Sequence, residues 1–256
     1  MKKILMFLAV TFCPLLFSGQ VMAHYGMIIP SDQIVTQGEN KTITLDLRFW
    51  HPMEGIPMPL DKPVHFNVIA NGQKVNLLET LQSKTVKDNQ TWSTEYTIKR
   101  PGLYVFSMEP KPYWEPAEDK FIIHYTKTVV TAFGDDEGWD QPIGLKTEIV
   151  PLSKPYAQYT GNAFQGIVLV NGKPVPYSEV EIELYNEDGS SEAPNDYMVT
   201  QTIKADANGV FTYAVPKAGW WGFAALNPSD TPIKHDGQDK EVELGAVLWV
   251  NFVDMK

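Results

Sequence analysis

Thr42-Ile43-Thr44-Leu45-Asp46-Leu47-Arg48-Phe49-Trp50-His51 alternates polar and apolar side chains from Thr42 to Phe49. Ile43, Leu45, Leu47 and Phe49 fall on one face, Thr44, Asp46 and Arg48 on the other, which is the period of a half-buried strand. His51 continues the apolar parity, and Pro52 has no N–H with which to extend a ladder. His51 is therefore expected at a strand end, facing inward, where a sandwich opens onto its loops.

Working outward, strand patterns recur at Val64–Ala70 before the turn Asn71-Gly72, at Trp92–Lys99, at Leu103–Glu109 and at Phe121–Val130. No helical period runs for three turns between Tyr25 and Val150, so this half reads as all-β. Between two of these strands lies Glu109-Pro110-Lys111-Pro112-Tyr113-Trp114-Glu115-Pro116-Ala117-Glu118-Asp119, a proline-stiffened loop carrying acids and two aromatics. Pro151-Leu152-Ser153-Lys154-Pro155 has linker composition. Beyond it the chain again alternates strand and turn, through Gln165–Val170, Asn171-Gly172, Lys173–Leu184 and Asp206-Ala207-Asn208-Gly209. The expected fold class is all-β, two immunoglobulin-like or prealbumin-like β-sandwich domains spanning residues 24–152 and 153–256.

Residues 1–23 carry Lys2 and Lys3, an apolar run from Ile4 to Phe17, and small residues ending in Ala23. This is the layout of a cleaved secretory signal peptide, too short in its apolar part to span a bilayer. Export to the periplasm is the expectation, with no membrane insertion of the mature chain. Cys13 leaves with the peptide, so neither disulfides nor thiolate metal sites are available afterwards. The formal charge moves from −10 to −12, because two of 21 basic residues are lost and all 31 acidic ones remain. Such a surface argues against nucleic acid as a partner.

Cleavage after Ala23 would make His24 the first residue. Its α-amine and imidazole can then close on one metal ion, and both nitrogens lose their protons easily near neutral pH. The mature chain has five histidines, His24, His51, His65, His124 and His235, four of them in the first half. His51 is the expected partner of His24, and the loop after it offers Glu54. His124 shares parity with Ile122 and Val130, which leaves both a core role and ligation open. His65 reads as a surface or cross-strand residue and His235 as a solvated loop. The expected metal ligands are His24, His51, His124 and Glu54. Imidazole, amine and carboxylate donors suit nickel, cobalt, copper and zinc. Met27, Met53 and Met58 nearby keep copper open as an alternative, in a chaperone or a histidine-brace oxygenase. No G-x-S-x-G, H-E-x-x-H, P-loop or G-x-G-x-x-G motif occurs, and the chain is read as a binding protein rather than an enzyme.

Four segments in order carry a resemblance that runs through essentially the whole mature chain. They are Ala23-His24-Tyr25-Gly26-Met27-Ile28-Ile29-Pro30-Ser31-Asp32, His51-Pro52-Met53-Glu54-Gly55, Tyr113–Asp119 and Phe121-Ile122-Ile123-His124-Tyr125-Thr126-Lys127. Together they resemble the bacterial periplasmic components of cobalt- and nickel-type ABC uptake systems. That resemblance implies Ni²⁺ or Co²⁺ as the bound ion and a membrane metal-uptake transporter as the partner. The second half resembles the carboxypeptidase-regulatory-like sandwich, which implies a fold and no activity. On that fold alone, a metal-free adhesion or scaffold module is a further alternative.

Overall fold

The computed structural model describes residues 23–135 and 137–256; apart from Ala23, the expected signal peptide lies outside them. The first half supplies β1 (Tyr25–Pro30), β2 (Ile34–Val35), β3 (Thr42–His51), β4 (Ile56–Met58), β5 (His65–Ala70), β6 (Gln73–Asn76), β7 (Gln82–Val86), β8 (Asn89–Thr97), β9 (Gly102–Glu109), β10 (Tyr113–Glu115) and β11 (Lys120–Ala132). The second supplies β12 (Thr147–Pro151), β13 (Gln158–Tyr159), β14 (Ala163–Val170), β15 (Lys173–Pro174), β16 (Glu179–Leu184), β17 (Gln201–Lys204), β18 (Val210–Ala214), β19 (Gly219–Pro228), β20 (Ile233–His235), β21 (Gln238–Lys240) and β22 (Val242–Val253). The chain is all-β, as its alternation requires. Asn71-Gly72 and Asn171-Gly172 turn with both residues at positive φ, 50° and 72° in the first and 51° and 73° in the second, the geometry of tight hairpins.

One 11-stranded sheet runs through both halves, its main path β17-β16-β19-β22-β11-β9-β5-β6, with β2 and β10 paired to β11 and β13 to β22. Its seam is the parallel pairing of β11 with β22, from Phe121↔Val242 to Thr128↔Trp249. A five-stranded sheet of β1, β3, β8, β7 and β4 covers one end. Between them Ile43, Leu45 and Leu47 of β3 meet Phe66 of β5, Phe106 of β9 and Val130 of β11 in the first core. A four-stranded sheet of β12, β14, β15 and β18 covers the other end. There Phe164, Val168 and Phe211 meet Ile182, Phe223 and Leu248 in the second core. The expected boundary at 152/153 follows β12, yet β12 pairs with β14 and so belongs to the second sandwich's smaller sheet.

β1 is buried on both faces. Ile28 enters the first core, while Tyr25 and Met27 join Trp50, Tyr185, Val247 and Trp249 in a third cluster between the two sandwiches. Gly26 allows this close approach, since a Cβ there would stand 2.3 Å from Thr126 Oγ1. Its peptide is pinned at both ends: the N–H points to His124 Nδ1 at 3.4 Å, and the carbonyl accepts from Trp249 Nε1 at 2.8 Å. Among the described residues no helix is long and apolar enough to cross a membrane.

Candidate metal centre

The site lies where β1 begins. β1 and β3 are antiparallel with Tyr25 opposite Trp50, so one more step of the same register sets His24 opposite His51. Their ring centroids are 4.6 Å apart. Both are buried, at 9% and 7% exposure. His51 Nδ1 is 2.8 Å from the Ala23 carbonyl, to which it donates. That carbonyl belongs to the peptide bond that processing would cut.

His24 Nε2 lies 2.9 Å from Glu115 Oε2. Burial, then the neighbouring His51 and His124 charges, push the His24 imidazole down to about 4, and Glu115 offsets only part of this. The ring is therefore neutral at neutral pH. With its one proton on Nε2, facing the carboxylate, the lone pair is on Nδ1, the nitrogen that closes a six-membered chelate with the α-amine. Glu115 is itself fixed, because its Oε1 accepts from the Ala117 N–H at 2.9 Å. Burial also lowers His51, against the opposing pull of the Ala23 carbonyl, Glu54 and Glu115. Phe49 stacks on His24 at 5.8 Å and Tyr113 lies at 6.1 Å, which walls the pair with aromatic carbon.

His124 is 1% exposed and lines a cavity together with His24. Its Nδ1 faces the Gly26 N–H, which leaves Nε2 as the N–H of the ring, and that nitrogen has no hydrogen-bond partner. Glu243 Oε1, at 3.7 Å, is beyond hydrogen-bond reach but close enough to act electrostatically. The ring occupies space left by Gly245, where a Cβ would come within 2.2 Å of His124 Cδ2. Its bonding is that of a donor on the core side of the site. Glu54 is exposed in the turn after β3, and Glu115 is the carboxylate that reaches His24. His65 is the surface residue expected, paired with Glu109 at 2.9 Å. His235 differs from its expectation. It ends β20 and stacks on Trp114 at 4.0 Å, because the β20–β21 hairpin folds over β10.

The second half also holds the loop that follows His51. Glu183 Oε2 accepts from the Met53 N–H at 3.2 Å, Asn186 Nδ2 donates to the Met53 carbonyl at 3.0 Å, and the Asn186 N–H donates to the Pro52 carbonyl at 3.1 Å. These bonds clamp the loop that follows His51. Behind His24, Glu118, Glu179, Glu181, Lys120 and Glu243 line a cavity. Burial, and then Glu243, Glu179 and Glu118, raise Glu181 to about 7. Burial pushes Glu243 up as well, but His124 and Lys120 outweigh it and hold that carboxyl at about 2. These acids carry no signal in the sequence, where Glu179, Glu181 and Glu183 alternate with Val180, Ile182 and Leu184 as a solvent face would. Among the described residues no three histidine, cysteine, aspartate or glutamate side chains are grouped so as to hold a metal ion. A centre at His24 and His51 needs the free amine as its third donor.

Fold and site together define an all-β protein of two sandwiches on one shared sheet, with two imidazoles buried where its first strand begins. The chain belongs to the family described as "Domain of unknown function (DUF4198)", which matches residues 21–229. No curated protein matches it. Solved structures with some likeness include the Yersinia pseudotuberculosis adhesin InvE, at 12% identity and TM-score 0.25, over 86% of this chain and 58% of that one. Titin aligns at 11% identity and TM-score 0.23, over 88% and 99%. Escherichia coli alpha-2-macroglobulin spanning domains MG0-NIE-MG1 aligns at 9% and 0.24, over 87% and 71%. Scores of this size carry no argument about function.

Proposed function

We propose that the processed chain is a periplasmic protein that binds one divalent nickel or cobalt ion through His24 and His51 and serves a membrane uptake transporter. The observation that carries the reading is the pairing of these two buried imidazoles across β1 and β3, with the Ala23 carbonyl held on His51 Nδ1. Cutting after Ala23 removes that carbonyl and leaves an amine beside a His51 nitrogen without its acceptor. Amine, His24 Nδ1 and one His51 nitrogen then form a three-nitrogen set with room for water, which suits Ni²⁺ and Co²⁺ and permits release. The methionines support these ions over Cu(I). Met27 packs in the third cluster, Met58 in the first core and Met53 against the second, so none is directed to the pair as a thioether donor. Transport is the part of the reading that rests on the sequence resemblance.

The test is a melting experiment on the chain beginning at His24, with and without Ni²⁺. Ion at 100 times its dissociation constant should add about 2.7 kcal/mol of stability. His51→Ala should lose most of that gain, and His65→Ala, a surface change, should keep it. A His51→Ala protein with the full gain would remove the reading.

A further inference from the structure

The row of acids behind His24 has a chemistry of its own. On β16 the two-residue period directs Glu179 and Glu181 to the same side of the sheet, opposite the second core that Val180 and Ile182 enter. Register across β19 and β22 brings that side to Glu243, and the parallel seam brings it to Lys120 and His124 on β11. The result is a cavity of ≈ 290 Å³ holding four carboxylates, of Glu118, Glu179, Glu181 and Glu243, against the single ammonium of Lys120. Lys120 is committed to Glu118 at 2.5 Å and to Glu243 Oε2 at 2.7 Å. Glu243 Oε1 is left over, and Glu179 and Glu181 have no hydrogen bond or ion pair within the described residues. The His124 Nε2–H, buried and unpartnered, lines the same cavity. A buried donor without an acceptor is costly, by about 1–3 kcal/mol, and it stands 3.7 Å from Glu243 Oε1, the oxygen that Lys120 does not reach.

We propose that this cavity is a second cation site, distinct from the His24–His51 pair, taking a hydrated divalent cation between Glu181 and Glu243 Oε1. The volume accommodates an ion that keeps several waters, which is how small hard cations bind to one or two carboxylates. His124 is a positioning residue there. As Glu243 turns toward the ion, the 3.7 Å gap from His124 Nε2 closes to a hydrogen bond and holds the carboxylate in place. Glu118 and Glu179 supply negative potential around the cavity. The site requires neither the free amine nor His51, so it stands or falls apart from the nickel or cobalt reading.

The probe is Mn²⁺, titrated into the exported chain and into its His24→Ala/His51→Ala variant and followed by electron paramagnetic resonance. One Mn²⁺ per chain is expected in both. Glu181→Gln and Glu243→Gln should each weaken it by at least about tenfold, while Glu95→Gln, an exposed carboxylate of β8 outside the cavity, should not. Bound Mn²⁺ should show couplings to water protons and none to a directly ligated nitrogen, a readout that needs no variant to fold. Absence of Mn²⁺ uptake, which would leave water alone to satisfy His124, overturns the site. So does uptake that survives both glutamine variants, or a direct nitrogen coupling.

Discussion

Residue by residue, the site depends as much on missing side chains as on present ones. Gly245 has no Cβ because His124 fills that volume, and Gly26 has none because β1 lies against Thr126 and His124. Gly245→Ala should therefore overpack the seam and cost about 1–3 kcal/mol in urea denaturation. Adding His124→Ala should recover part of that loss, since the two changes act on one space. Simple additivity of the two changes would show that the imidazole does not fill it. His51 was legible from its parity in β3. Glu115 was not, because in the sequence it is one of several loop acids, no different from Glu54 until β10 pairs with β11 and carries it to His24.

Among the elements, β1 is the one on which the others converge. It pairs with β3, crosses β11 at Gly26 and packs on β22 through Trp249. The loop after His51 is held from the opposite sandwich by Asn186 and Glu183. Asn186→Ala keeps the backbone N–H that donates to the Pro52 carbonyl but removes the side-chain donor to the Met53 carbonyl, at a cost of about 1–3 kcal/mol. It should also weaken Ni²⁺ binding in calorimetry although it touches neither imidazole. Unchanged affinity with lowered stability would mean that the clamp serves the fold alone. The strands themselves were readable from their two-residue period. What covers each face was not, and Glu179, Glu181 and Glu183 show why. Their alternation describes a strand with a polar side, and β1, some 150 residues earlier, packs against its Glu183 end and leaves Glu179 exposed.

For the whole molecule, the burial of Glu183 gives stability a pH dependence. Burial pushes the Glu183 carboxyl up to about 8 despite its bonds from Thr200 and Met53, against an ordinary value of 4.5. Between those values the folded chain holds a proton that the unfolded chain releases, so stability falls as pH rises and the full loss is reached above pH 8. The loss is on the order of a few kcal/mol. Glu181, raised to about 7, acts in the same direction. Urea denaturation between about pH 5 and pH 9 should show the decline, and Glu183→Gln should flatten it; an equal slope in the variant would contradict the assignment. The shared sheet also ties the half that carries His24 to β22, the last strand, so both sandwiches take part in holding His24 in place. The account turns on one peptide bond, and the most direct measurement is calorimetric titration of Ni²⁺ into two otherwise identical chains, one beginning at His24 and one retaining Ala23. The chain that begins at His24 should bind one ion, and the chain that keeps Ala23, its His51 still bonded to the carbonyl, should bind far more weakly. Equal affinity in the two would show that the amine is no part of the site.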